Sequence, residues 1–320
     1  MKSIRVHEFG AIDVLKLEEI PTPTPAHGQV LVRIHAAGVN PYDTYMRAGT
    51  YAIKPPLPYT PGSDGAGIVE AVGEGIKKVK PGDRVYTAKT ITGAYAEYAL
   101  TLEDQVFPLP DRITFAQGAG VWVPCGTAYH AIYHSAQARA SESMLIHGAS
   151  GGVGIAAVQL GRAMGLTVLG TAGTPKGLEL VTREGAHQVF DHTKPGYQDH
   201  ILQFTGGRGV DIIVEMLANV NLAADLKLLA TNGRVIIVGS RGEITINPRD
   251  LMSRRAAARG FTLWALTESE TAQIHAGIGA AMENGTLRPI VGKEMPLAEA
   301  ARAHKEILEP GSHGKIVLIP

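Results

Sequence analysis

Seven residues near the middle of the chain, Gly148-Ala149-Ser150-Gly151-Gly152-Val153-Gly154, have the sizes and order that let a backbone come close to a phosphate. They follow an apolar run, Met144-Leu145-Ile146-His147, that reads as a buried strand, and precede a segment from Ile155 to Met164 with helical apolar spacing. A strand, a glycine-rich turn and a helix start in this order aim unpaired N–H groups at an anion, and a further glycine allows close helix–strand packing. The glycines at 148, 151, 152 and 154 are a variant of the usual spacing. The expected ligand is a dinucleotide pyrophosphate, held around Ser150, Gly151, Gly152 and Val153. A tight turn without a ligand is the plain alternative, and the strand–helix alternations that follow argue against it.

A ribose with a free 2′-hydroxyl calls for an aspartate or glutamate about twenty residues beyond the glycines. None occurs from Leu160 to Lys176. The next strand-like run instead ends in Gly170-Thr171-Ala172-Gly173-Thr174, with Lys176 close behind, a small polar pocket with a cation suited to a 2′-phosphate. NADPH is therefore the expected cofactor, with a charge-assisted bond from Lys176 worth about 1.5–3 kcal/mol. Lys176 also reads as a solvated lysine at a helix start, and both readings stand at this point.

These residues need a scaffold, and the chain has two grammars. Of its 19 prolines, 12 fall in the first 124 residues, among short alternating runs such as Gln29-Val30-Leu31-Val32-Arg33-Ile34-His35 and Gly67-Ile68-Val69-Glu70-Ala71-Val72. That half reads as strands and turns. Between 125 and 247 only Pro175 and Pro195 remain, and Leu166-Thr167-Val168-Leu169, Val210-Asp211-Ile212-Ile213-Val214 and Arg234-Val235-Ile236-Ile237-Val238 alternate with helical patterns. The fold class is α/β, with strand–helix–strand units on a parallel sheet. A helical stretch through Ile274-His275-Ala276-Gly277-Ile278 and a last strand, Lys315-Ile316-Val317-Leu318-Ile319, are expected to return to the first domain. The expected division is 1–124 with 265–320, and 125–264.

Composition excludes several classes. Lysine plus arginine equal aspartate plus glutamate at 30 each, so no long-range field draws the chain to nucleic acid. No apolar run reaches the length of a membrane span. Cys125 is the only cysteine, which rules out an internal disulfide and an all-cysteine metal cage and fits a reducing, cytoplasmic location.

Further motifs, Gly38-Val39-Asn40-Pro41-Tyr42-Asp43-Thr44-Tyr45, Pro61-Gly62-Ser63-Asp64-Gly65-Ala66-Gly67 and Pro81-Gly82-Asp83-Arg84-Val85, precede the glycine-rich turn. Glu215-Met216-Leu217-Ala218-Asn219-Val220-Asn221, Val238-Gly239-Ser240-Arg241-Gly242 and Ile246-Asn247-Pro248-Arg249-Asp250 follow it. In this order they resemble the medium-chain dehydrogenases, and within them the zinc-free, zeta-crystallin-like NADPH:quinone oxidoreductases, over nearly the whole chain. The resemblance implies a GroES-like β-barrel for the first domain and a doubly wound Rossmann sheet for the second. It also implies a quinone substrate, ortho-quinones included, and a homo-oligomer, dimer or tetramer.

By the same resemblance, Asn40, Tyr45 and Tyr51 line the pocket over the nicotinamide, the tyrosines offering hydroxyls to a quinone oxygen, with Asn40 and Tyr45 also against the cofactor. Thr127, Phe261, Thr262 and Leu263 border the nicotinamide. Asn221, Val238, Gly239, Ser240 and Arg241 border the ribose and pyrophosphate. Gly173 and His192 join Lys176 at the adenosine phosphate, although the resembling proteins are expected to carry an acid at the position of Lys176. Zinc-dependent relatives place cysteine where Asn40 stands and histidine where Ser63 stands, so no metal is expected. Cys125 reads as a packing residue.

Two other functions remain open on sequence. An NADPH-dependent reductase of 2-alkenals or enones would use the same fold and cofactor, with a tyrosine or water as proton donor. An NADPH-binding structural or RNA-binding protein would rest on Arg249, Arg254, Arg255 and Arg259, which in a chain of zero net charge read more simply as a solvated helix face.

Overall fold

The structure, a computed structural model, describes residues 1–311 and 313–320. The chain forms two units, Met1–Val123 with Arg288–Pro320, and Pro124–Leu287. Strands β1 (Lys2–Arg5), β2 (Lys16–Glu19), β3 (Gln29–Val39), β4 (Asp64–Val72), β5 (Arg84–Ala88), β6 (Tyr98–Leu102) and β7 (Val106–Pro108) open the first unit. The second carries β8 (Ser143–Ile146), β9 (Thr167–Ala172), β10 (Gln188–Asp191), β11 (Val210–Glu215), β12 (Leu229–Ile237) and β13 (Ala257–Gly260). The chain then returns to the first with β14 (Val291–Pro296) and β15 (Lys315–Ile319).

In the first unit β1 and β2 pair antiparallel, and the larger sheet runs β14-β15-β3-β4-β5-β7, with β6 also on β3. β3 organises it. Its irregularities against β4, between Leu31 and Val32 and between Ile34 and Ala36, bend it. Gln29–Arg33 can then pair with β6 while Ala37–Val39 pair with β15. Val30, Val32, Ile34 and Val39 join Val69, Val85 and Leu318 in the core. The alternating runs of the sequence thus become a bent, mainly antiparallel sheet.

The second unit is a six-stranded sheet in the order β10-β9-β8-β11-β12-β13. All its pairings are parallel. From β8 the chain builds outward through β9 and β10, then starts again on the other side with β11, the doubly wound arrangement. Leu145, Leu169, Ile213 and Val235 lie fully buried at its centre, as expected for strands covered on both faces. Helices at Gly152–Ala163, Pro175–Arg183, Tyr197–Phe204, Ala218–Leu228 and Pro248–Arg254 make the crossovers.

One boundary moves. The helix at Glu268–Glu283, expected to return with the first domain from residue 265, belongs to the second unit, and the return begins at Arg288. It buries Ile274, Ile278 and Met282, and Gly277 lies so close to Tyr129 that an added Cβ would be 2.3 Å from the ring. A helical run from Val121 to Ser135, with wide turns around Pro124, has no counterpart in the sequence reading, because proline argues against a helix interior. Among the described residues no helix is long and apolar enough to cross a membrane.

Two glycines of the Glu268–Glu283 helix should respond oppositely to alanine. At Gly277 the new methyl meets Tyr129, whose ring is stacked on Tyr133 at 4.3 Å and cannot easily retreat, so a loss of about 1–3 kcal/mol is expected. At Gly279 nothing lies within 4 Å, and alanine should add about 0.4–1 kcal/mol. Urea denaturation of both variants checks the pair; equal responses would contradict the packing described.

Candidate functional site

The second unit collects its expected site residues at one edge. Ser150 to Val153 follow β8, Gly173 and Lys176 follow β9, and His192 follows β10. Asn221 lies in the helix after β11, Val238 to Arg241 follow β12, and Phe261 to Leu263 follow β13. All stand beyond the C-terminal ends of parallel strands, and the order reverses between β8 and β11, where such sheets open a crevice.

The turn after β8 is shaped by contact. Gly148 has φ +61°, a conformation costly to side-chain-bearing residues. At Gly154 a Cβ would lie 2.5 Å from Ala149 Cα and 2.6 Å from the Gly148 carbonyl, backbone atoms that cannot step aside. At Gly151 it would meet nothing nearer than 3.6 Å. Gly154 therefore serves packing, while Gly151, N-cap of the Gly152–Ala163 helix, leaves the approach to the backbone open. This bare helix start fits a pyrophosphate.

At the next two strand ends, Gly173 and His192 are brought together, since a Cβ on Gly173 would sit 2.7 Å from His192 Nε2. Thr174 caps the Pro175–Arg183 helix by accepting from Gly177 N at 3.1 Å. Lys176 is exposed in that helix's first turn and, among the described residues, bonds to no protein group. Asn219 accepts from Arg241 N at 2.8 Å, which holds the loop after β12 while the Arg241 side chain stays exposed. Phe261 stacks on His130 at 4.1 Å, and Leu263 is buried. Thr127 is buried in the helical run after Pro124.

Beneath the turn is a polar cluster that the sequence reading missed. His147 Nε2 lies 2.9 Å from Asp225 Oδ1 and 3.7 Å from Glu215 Oε2, all three side chains being buried. Because a carboxylate only accepts, Nε2 donates to Asp225. Thr171 Oγ1 accepts from Gly148 N at 3.2 Å and lies 3.4 Å from both His147 Nδ1 and His192 Nδ1. Glu215 accepts from Leu217 N and, at 3.2 Å, from Asn221 Nδ2. The cluster thus links the glycine turn, His192 and Asn221. Burial pushes Glu215 up to about 7, against the pull of His147. For His147 burial works downward, but Asp225 and Glu215 outweigh it and raise the imidazole. The three residues offer ligand atoms within 4.8 Å of one another, an arrangement invisible in a sequence where they lie far apart.

In the first unit Asn40 follows β3 and is the N-cap of the helix Pro41–Ala48. Its N–H donates to Asp43 Oδ2 at 2.8 Å, its amide donates to Asp64 Oδ2 at 3.0 Å, and Lys315 Nζ donates to its Oδ1. The Tyr45 carbonyl accepts from Thr50 N and Tyr51 N at 3.0 and 3.2 Å, which brings Tyr51 back over this helix. Tyr42, absent from the expected set, lies 5.9 Å from the Tyr51 ring and donates its hydroxyl to Ser63. Asp43 is pushed to about 7 by burial, although the Asn40 N–H and Lys315 pull it down. It accepts from Tyr95 Oη at 3.3 Å, and Tyr95 in turn meets His304 Nε2 at 3.3 Å.

Comparison with known proteins agrees with the fold. Residues 152–276 match the zinc-binding dehydrogenase family, and residues 26–111 match the alcohol dehydrogenase GroES-like domain. A human quinone oxidoreductase is 52% identical over 100% of this chain and 98% of its own length. A crystal structure of Escherichia coli quinone oxidoreductase complexed with NADPH superposes with a TM-score of 0.91 at 29% identity, covering both chains fully. An NAD-dependent alcohol dehydrogenase structure superposes at 0.93 with 27% identity, also over both full chains.

The buried cluster predicts a pH signature. Folded Glu215 keeps its proton to about pH 7, against 4.5 for an ordinary glutamate, so the folded state binds more protons across that window. Its contribution is full below the lower value and is lost as pH rises through the higher one. His275 and His304, both pushed down to about 3 by burial, act in the opposite sense but are common to parent and variant. The Tm of Glu215→Gln relative to the parent should therefore climb between about pH 5 and about pH 8. A constant difference would mean that Glu215 titrates normally.

Proposed function

The chain belongs to the quinone oxidoreductase family of the medium-chain dehydrogenases/reductases, and from that premise we propose that it reduces quinones with NADPH and without zinc. The observation that carries this reading is the match of the whole chain, both units included, to relatives named for that activity. NADPH, when bound, supplies the hydride. The N–H groups of the Ser150–Val153 turn bind its pyrophosphate, at a helix start that Gly151 leaves bare. Gly173, Lys176 and His192 hold the 2′-phosphate end. Asn221 and Val238 to Arg241 hold the ribose and pyrophosphate, and Thr127 with Phe261, Thr262 and Leu263 the nicotinamide.

Asn40, Tyr45 and Tyr51 orient the quinone through hydrogen bonds to its oxygens. A quinone is already a good acceptor, so positioning two planar rings supplies most of what the reaction needs. The zinc-free part of the proposal is supported at Asn40. There Lys315 brings an ammonium to the amide oxygen, whereas a zinc ligand must present its lone pair to a metal. Cytoplasmic residence, supported by a lone buried Cys125, and a homo-oligomeric state, supported by the exposed edge of β13, belong to the same proposal.

Two measurements test it. In the presence of chelator, the purified protein should oxidise NADPH with 9,10-phenanthrenequinone and be slow with NADH and with a 2-alkenal. Alkenal turnover without quinone turnover would move the assignment to enone reduction. Lys176→Ala should weaken NADPH about tenfold and leave NADH unchanged, the low end for a charge-assisted bond because the site is exposed. Equal effects on both cofactors would remove Lys176 from the phosphate site.

A further inference from the structure

Three neighbouring strands bring Lys315, Asn40 and Asp64 together. β15 pairs Val317 with Gly38, β4 pairs Asp64 with Gly38, and Asn40 stands two residues beyond Gly38. Lys315 opens β15, and only 4% of its surface is exposed, against 2% for Asn40 and 1% for Asp64. Space for the lysine stem comes from Gly38, where a Cβ would lie 2.7 Å from Lys315 Cε and 3.0 Å from Asp64 Cβ.

A buried ion pair is weak evidence of stabilisation, because desolvation of both charges offsets their attraction. This pair does something more specific. Lys315 Nζ donates to Asn40 Oδ1 and, at 3.2 Å, to Asp64 Oδ2; Asp64 Oδ2 also accepts Asn40 Nδ2 at 3.0 Å. Asp64 Oδ1 accepts Val123 N at 3.0 Å, which pins the carboxylate from its other side. An ammonium has only donors and a carboxylate only acceptors, so the Asn40 amide has one permitted orientation and cannot flip. Its oxygen is occupied, and Nδ2 keeps one hydrogen with no protein acceptor among the described residues. The ammonium also draws electron density toward Oδ1, which strengthens that remaining N–H as a donor.

We infer that Lys315 is a positioning residue for quinone reduction: with Asp64 it locks Asn40 so that the free amide hydrogen meets the substrate carbonyl oxygen on which negative charge grows. This rests on the reading that Asn40 contacts the quinone.

The test is a double-mutant cycle in the full chain, with NADPH and 9,10-phenanthrenequinone. Asn40→Ala and Lys315→Met should each lower kcat about 10- to 100-fold, as loss of a donor to a developing oxyanion does, while the NADPH dissociation constant read by fluorescence stays within about threefold. The double variant should be no worse than Asn40→Ala alone, because both substitutions remove one hydrogen bond. Lys315→Met at parental kcat, or losses that multiply in the double variant, would overturn the inference while leaving the role of Asn40 intact. Asn40→Ala at parental kcat would overturn that role and the inference with it. If Lys315→Met does not fold, Lys315→Gln replaces it in the cycle. Its amide can donate or accept and so no longer dictates the orientation of Asn40, and the same outcomes decide.

Discussion

Parallel strands all end on the same side, and much of the functional layout follows from that constraint. In the second unit six strands run together, so six loops leave one edge, and the reversal of order between β8 and β11 separates two sets of crossovers there. A nucleotide-binding edge needs no special loop lengths under this arrangement. It needs a backbone that can be approached, and the glycine turn supplies it. Gly154 lets the first helix sit against Ala149 at a distance no side chain tolerates, and Gly151 leaves the helix start bare.

The second theme is what happens to polar groups that such a framework buries. In each unit they are gathered into a cluster tied to residues proposed for binding. His147, Glu215 and Asp225 lie under the glycine turn and connect through Thr171 to His192 and directly to Asn221. Lys315 and Asp64 lie at the end of β3 and hold Asn40. Removing one partner from either cluster would leave a buried charge or donor exposed to a low-dielectric surrounding. The cost of burial is thus coupled to the geometry of binding side chains, and the groups cannot wander while they remain paired.

Local features of this fold were legible in the sequence, and distant ones were not. The β8 run, the glycine turn and its helix are contiguous; the structure shifts the strand by one residue and starts the helix at Gly152, three residues earlier than spacing put it, inside the glycine turn. β15 begins and ends where the apolar run Lys315–Ile319 does. β12 is longer than the expected run Arg234–Val238, because it begins at Leu229 and continues through Asn232 at φ +66°. The helix at Glu268–Glu283 has an apolar face that would suit either core, so only contact with Tyr129 assigns it. His147 finds Asp225 across 78 positions, and Lys315 finds Asn40 across 275. No spacing rule reaches that far. A lysine starting an otherwise apolar strand is the one local hint that a buried countercharge awaits it.

The measurement that bears most directly on the central claim is an anaerobic single turnover of enzyme-bound NADPH, deuterated at the transferred position, with a stoichiometric quinone and a chelator. Hydride transfer to the quinone predicts loss of one NADPH per quinone reduced, with a primary isotope effect on a rate that chelator does not change. NADPH that stays oxidisable but unconsumed by quinone, or a rate abolished by chelator and restored by zinc, would contradict the account.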